Sequence, residues 1–357
     1  MKTNERKSEK EENKMLAAKL PRLETVEVVE EEMPTPGKGE VLIRMKASAL
    51  CRSDLHRYHG TTIFDEEDEK SAYITPGHEP CGIVEEIGEG VTKVKKGDRV
   101  AIYLGLGCGT CPDCLRGDVM LCKEFKCIGF AVNGAHADFM TIPEENCLLM
   151  PEKMDYITGA LSTDVGGTLY TACKSLELNG TKSVAIIGCG PMGSGGILIA
   201  KGFGAKVIAV DLDEKRLEMA RELGADYTFN PAKCNVVEEI NRITNGIGVD
   251  AAIVTGGGNA PLNTALDAVR TRGKVALIAE SNAATIDPSN QFLRKRTELI
   301  GCWYFNRADW EEIANFIVSN NIEMKKICSK TFSISEAPEA FPLFDSGATQ
   351  KVVFVWE

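Results

Sequence analysis

Residues 184–193 read VAIIGCGPMG, an apolar run that passes directly into three glycines, Gly188, Gly190 and Gly193. The run predicts a buried strand, and the glycines predict a tight turn that opens a helix. Each glycine has its own geometric use. Gly188 makes the turn, Gly190 lets backbone approach a pyrophosphate, and Gly193 lets the helix pack closely on the sheet. The helix N-terminus then offers unpaired N–H groups and partial positive charge to phosphates.

The next apolar run ends at Val210 and is followed at once by Asp211, 18 residues after Gly193. A carboxylate there can accept both ribose hydroxyls of NAD and repels the 2′-phosphate of NADP. NAD is therefore the expected cofactor. NADP stays open, because Arg216 nearby could serve either adenosine ribose.

Further out, strands at 183–187, 206–210, 249–255 and 274–279 alternate with helices at 193–203, 214–223 and 260–270. That alternation predicts a parallel, doubly wound sheet. From Lys19 to about Met150 the texture differs: short extended stretches at 40–49, 81–88 and 96–103 are broken by Gly and Pro. This half reads as β-rich. The end of the chain holds a helix at 310–320 and a strand at 351–356. A length of 357 residues suits two domains.

Lys plus Arg number 41 against 52 Asp plus Glu, a net charge of −11, which disfavours nucleic acid as a partner. The longest uncharged run, 183–200, is broken by glycines and Pro191, so no membrane span is expected. Residues 1–14, MKTNERKSEKEENK, form a charged tail without the apolar core of a secretory signal. A cytoplasmic protein is expected, and its thirteen cysteines should be reduced thiols or metal ligands.

Four of them, Cys108, Cys111, Cys114 and Cys122, follow a C-x2-C-x2-C-x7-C spacing on a short Gly/Pro-containing loop. Four thiolates suit tetrahedral zinc and leave no open position, which makes a structural site. An iron–sulfur cluster is the rival metal. A second, dispersed constellation comprises Cys51, which opens CRSDLH, and His78 with Glu79 in GHEP. Beside a nucleotide fold and a four-Cys loop these become candidate ligands of an open site. His59 and His136 lie outside any motif.

These elements, in this order, resemble the zinc-containing medium-chain alcohol dehydrogenases: CRSDLH, GHE, the four-Cys loop, the segment LSTDVGGTLYTA at 161–172, and GxGxxG with its downstream Asp. The resemblance runs from about Lys14 to Glu357. It implies an α/β chain with a partly open, GroES-like β-rich catalytic domain (15–165 and 304–357) and a Rossmann domain (166–303), with zinc and nicotinamide in the cleft between them. It also implies two zinc ions per chain. The catalytic one would be held by Cys51, His78 and Asp164, with Glu79 as an alternating or supporting carboxylate. Many members carry cysteine where this chain has Asp164, and zinc takes carboxylate oxygen readily.

By the same resemblance Asp54 orients the ligand histidine, Ser53 bonds to the reacting alcohol oxygen, and His56 relays its proton to solvent. Arg52 and Lys351 match pyrophosphate-binding cations, and Thr168 touches the nicotinamide. The implied activity is NAD-dependent oxidation of a secondary alcohol, polyol or sugar, or the reverse reduction. Alternatives are a threonine-type amino-acid dehydrogenase and a non-catalytic NAD- or zinc-binding protein. A small-molecule substrate and a homodimer or homotetramer are expected. The acidic segment 61–73, between two ligands, could border the substrate or be solvated loop.

Overall fold

The strand Glu40–Ala49 carries an apolar run, Val41 to Ile43, and then alternates through Met45, Ala47 and Ala49, all of them buried. That pattern lets it take antiparallel neighbours on both edges: Glu79–Ile87 and Phe139–Pro143 along its length, and Lys351–Val355 at its end. Ala49 faces Glu79 in one pairing and Val353 in another. Following those registers outward brings Cys51, His78 and Lys351 together at one end of the sheet. Pairing geometry therefore gathers residues that are remote in sequence.

The computed structural model describes residues 13–61, 73–281 and 283–357. Most of the charged tail and residues 62–72 of the acidic segment lie outside them. Lys14, assigned to the tail from sequence, opens the strand Lys14–Arg22, which forms an antiparallel hairpin with Thr25–Glu32. The chain divides into two compact units. One comprises Met1–Asp164, Asn306–Ala314 and Cys328–Glu357; the other comprises Val165–Phe305 and Asn315–Ile327.

In the first unit, the seven-stranded sheet places Cys328–Phe332 and Lys351–Val355 at one side. Glu40–Ala49, Glu79–Ile87, Arg99–Ile102 and Cys147–Leu149 follow in that order. The helix Arg52–Tyr58 leaves the end of the Glu40–Ala49 strand and buries Leu55 and Tyr58 in a core with Phe341, Phe344, Val352 and Phe354. Truncating one such side chain typically costs about 2–5 kcal/mol. Ser53 and His56, three apart, are neighbours on the helix surface.

The second unit has six parallel strands in spatial order Tyr227–Phe229, Lys206–Val210, Ser183–Ile187, Val249–Val254, Val269–Leu277, Glu298–Gly301. In chain order this is 3-2-1-4-5-6, the doubly wound arrangement whose ligand crevice opens where the order reverses. Its core joins Ile187, Ile208 and Val254 of the strands to Ile240, Leu262 and Leu266 of the helices.

Two further details depart from the sequence reading. The helix expected over 260–270 ends at Ala268, and the strand begins at Val269, which pairs with Val249. A Cβ on Gly273 would come 2.7 Å from that of Val269, and Arg272 sits at φ +60°, so a tight backbone kink replaces the last helical turn. Residues 315–327 also group with the second unit, whereas the sequence reading placed all of 304–357 in the first. Phe316 stacks 4.5 Å from Phe203, and Ile322 packs where a side chain on Gly202 would stand.

Candidate metal centres and nucleotide turn

Cys51 is the N-cap of the Arg52–Tyr58 helix, and Asp54 in its first turn accepts the Cys51 N–H at 2.9 Å. The other oxygen of Asp54 lies 3.2 Å from Nδ1 of His78. One carboxylate thus caps the helix and orients an imidazole. Burial alone would raise the Asp54 pKa, but His78 overrides it and holds the acid at about 2. Burial lowers and Asp54 raises the His78 pKa, and Asp54 wins, leaving it well above the ordinary value.

Asp164 reaches the same point from a π-helical turn, Ser162–Gly166, that continues the helix Tyr156–Leu161. Such insertions re-aim a side chain and recur at functional sites. The Asp164 carboxylate lies 3.6 Å from Sγ of Cys51 and 4.0 Å from Nε2 of His78. Together with Glu79, these residues can each place one donor atom within 4.8 Å of the others. Glu79 is fully buried, and its Oε2 has no hydrogen-bond partner among the described residues. A sulfur, an imidazole nitrogen and carboxylate oxygens converging on one point form a donor set that zinc accepts.

Ser53 places its hydroxyl 3.1 Å from Nε2 of His78, the ring nitrogen turned away from Asp54. His56 is exposed and bonds to Thr61 through Nδ1 at 3.1 Å. Arg52 is exposed at the start of the same helix. Lys351 requires a correction. The residue is 1% exposed, and its ammonium is ion-paired with Glu79 and bonded to the Leu50 carbonyl, so it faces the carboxylates of this cluster and is not free for a pyrophosphate. Burial would lower its pKa, but Cys51, Glu79 and Asp164 around it keep it charged.

His136 is the residue that the sequence reading missed. It is fully buried, accepts or donates with Ser48 at 2.9 Å through Nδ1, and places Nε2 4.0 Å from Asp54. No motif marked it, because its neighbours in sequence carry no ligand spacing.

The four-Cys loop is assembled by its own backbone. Sγ of Cys108 accepts from Cys111 N at 3.3 Å, Sγ of Cys111 from Cys114 N at 3.4 Å, and Sγ of Cys122 from Cys108 N at 3.4 Å. The four sulfurs lie within 4.8 Å of one another. A zinc–sulfur distance of about 2.3 Å puts tetrahedral sulfurs about 3.8 Å apart, so the loop fits that ion. The N–H and hydroxyl of Thr110, with Cys111, lower the Cys108 thiol to about 6, while burial pushes Cys114 up to about 12.

In the second unit each glycine of the turn meets its requirement. Gly188 has φ +100°, and a Cβ on Gly193 would overlap the Gly188 carbonyl at 1.8 Å. A Cβ on Gly190 would meet nothing within 4 Å, which leaves open space beside the helix N-terminus at Pro191. Asp211 accepts the Cys189 N–H at 2.7 Å and the Asp213 N–H at 2.9 Å, with Arg216 3.9 Å away. A carboxylate has about four acceptor positions, so capacity remains for ribose hydroxyls. Thr168 is buried in the first turn of the helix Gly167–Ser175.

Residues 37–152 match the family model of the alcohol dehydrogenase GroES-like domain, and residues 191–319 match that of zinc-binding dehydrogenases. An uncharacterized zinc-type alcohol dehydrogenase-like protein of Escherichia coli is 34% identical, over 95% of this chain and 98% of its own. The chain belongs to the zinc-containing medium-chain alcohol dehydrogenase family. An L-threonine 3-dehydrogenase of Pyrococcus horikoshii is similar to this dehydrogenase at 33% identity, over 92% of the chain and 94% of its own length. Among solved structures, the alcohol dehydrogenase of Thermus sp. ATN1 superposes with a TM-score of 0.87 at 29% identity, covering 95% of this dehydrogenase and 99% of that chain. No helix among its described residues is long and apolar enough to cross a membrane.

Proposed function

We propose that this dehydrogenase oxidises a secondary alcohol, polyol or sugar with NAD, or runs the reverse reduction, using one catalytic and one structural zinc. The observation that carries this reading is the convergence of Cys51, His78 and Asp164 with the Ser53 hydroxyl 3.1 Å from His78 Nε2. When bound, zinc supplies Lewis acidity to a hydroxyl oxygen, and the nicotinamide supplies a hydride acceptor.

The chain's own residues then have separate tasks. Cys51, His78 and Asp164 would hold the ion, and Asp54 keeps the Nδ1 proton of His78 so that Nε2 is free to ligate. Lys351 holds Glu79 by one oxygen, which keeps that carboxylate in a supporting position. Ser53 accepts the substrate hydroxyl proton as it passes its own outward, and the exposed His56 delivers a proton to water. With a nicotinamide bound, the carbinol hydrogen would leave as hydride to that acceptor while the hydroxyl proton leaves by Ser53 and His56, so the oxidation would balance as a carbonyl, a reduced cofactor and one proton. In the second unit, the open space at Gly190 would receive the pyrophosphate and Asp211 the adenosine ribose.

A threonine-type amino-acid dehydrogenase is the second reading, favoured by the 33% identity to the Pyrococcus horikoshii enzyme. One assay separates the two: NAD reduction over a panel of secondary alcohols, polyols, inositols and hydroxy amino acids. Turnover confined to hydroxy amino acids supports the second reading. No turnover on any member with either nicotinamide contradicts both.

A further inference from the structure

Behind the candidate metal cluster lies a second imidazole that the chemistry above does not use. His136 is fully buried, between the edges of Phe354 (4.8 Å) and Phe341 (6.0 Å) and the backbone of Gly77. A Cβ on Gly77, which sits at φ +101°, would come 2.5 Å from Nδ1 of His136. The two segments are also laced by backbone: Gly134 N–H to Thr75 O at 2.7 Å, Ala135 N–H to Gly77 O at 2.9 Å, and His136 N–H to Pro76 O at 2.9 Å. The segment that presents His78 therefore rests on the segment that carries His136.

The side chain adds a polar link. Nδ1 of His136 lies 2.9 Å from the hydroxyl of Ser48, which is itself fully buried. Nε2 has no hydrogen-bond partner among the described residues and lies 4.0 Å from the Asp54 carboxylate, beyond a hydrogen bond. Buried polar groups are rarely left in that condition without a role. Asp54 is the acceptor that orients His78 through Oδ1, and its Oδ2, which accepts the Cys51 N–H, is the oxygen that His136 Nε2 faces.

We propose that His136 is a positioning residue for the catalytic metal site: the Ser48 hydroxyl donates to Nδ1, and the Nε2–H so defined faces the Asp54 anion and holds it in place against His78. The link runs Ser48–His136–Asp54–His78. Its outer members never touch substrate, yet they set the orientation of a ligand. Outer partners of this kind are worth about 10–100-fold in metal affinity. His136 stands one layer further out, so an effect on the order of tenfold is expected.

This inference rests on the reading of Cys51, His78 and Asp164 as metal ligands. The test is competition for zinc between the full chain and a chromophoric chelator, with Cys51→Ser identifying the ion held at this cluster. His136→Phe keeps ring bulk against Phe354 and removes both nitrogens, and it should weaken the Cys51-dependent site about tenfold. His136→Gln, whose amide can reach the Nε2 position, should recover most of the loss, whereas His136→Asn, which can replace only Nδ1, should not. Ser48→Ala, a small change, should shift affinity in the same direction as His136→Phe and by less. The thermal midpoint of the metal-free chain is measured alongside, since a purely structural role would move that midpoint and leave affinity alone. Unchanged affinity in both His136→Phe and Ser48→Ala, or equal recovery by Gln and Asn, overturns the role of His136. If Cys51→Ser removes no zinc at all, the metal reading falls and this inference with it.

Discussion

Asp54 and His78 form a fully buried pair, 3.2 Å between Oδ1 and Nδ1, at the junction of the Arg52–Tyr58 helix and the strand that begins at Glu79. The same carboxylate caps the helix through Cys51 N–H, so the helix start, the thiol and the imidazole are set by one anion.

Replacing Asp54 by Asn keeps the shape and one acceptor oxygen but removes the charge. Zinc affinity at the Cys51-dependent site should fall about 10–100-fold, measured by chelator competition. An affinity within twofold of the natural chain would show that His78 is oriented by something else.

Ser53→Ala should lower kcat by roughly 10²-fold or more, the usual scale for a positioned proton-transfer group, while zinc content stays unchanged. Ser53→Thr should retain most activity. A fall in both zinc content and kcat would mean that Ser53 supports the ligands and does not handle the proton.

His136 gives the metal-free chain an acid sensitivity. Burial, ahead of the opposing pull of Asp54, pushes its pKa down to about 4, against an ordinary value of 6.5. Between those values the unfolded chain binds the extra proton, so stability is complete above the ordinary value and falls as pH drops toward the folded one. The difference corresponds to about 3 kcal/mol. His78 acts in the opposite sense, since its folded pKa is raised and its contribution persists at low pH. Denaturant unfolding in chelator at pH 7 and pH 4.5 should show a smaller loss for His136→Phe than for the natural chain; an equal loss would assign the sensitivity elsewhere.

Asp211→Ser removes the carboxylate that would repel a 2′-phosphate and leaves Arg216 nearby without its anion. The ratio of kcat/KM for NAD over NADP should fall at least tenfold. A ratio that does not move would refute the role given to Asp211.

Much of this was legible in the sequence because the chemistry is local. CRSDLH places Cys51, Ser53, Asp54 and His56 within one helical turn and its cap, and the four-Cys loop folds on itself. The glycines of 188–193 state their geometry directly. What was not legible depends on contacts remote in sequence. His136 lies in an irregular segment, and only its bridges to Thr75, Pro76 and Gly77 reveal its neighbour. Lys351 is recognisable in the sequence as a cation before the last strand, but its pairing with Glu79 comes from sheet register, which composition does not encode. Asp164 sits on a π-helical turn, and the extra residue of that turn, invisible to a 3.6-residue period, directs its side chain. At Val269 a helical pattern gave way to a β-branched strand start for the same reason, a partner strand at Val249.

The proposed chemistry requires a metal ion held by Cys51, His78 and Asp164 in addition to one in the four-Cys loop. Elemental analysis of the full chain and of Cys51→Ser, each purified with zinc present, tests it directly. Two zinc per natural chain and one per variant are expected. One zinc in both, or none in either, would contradict it.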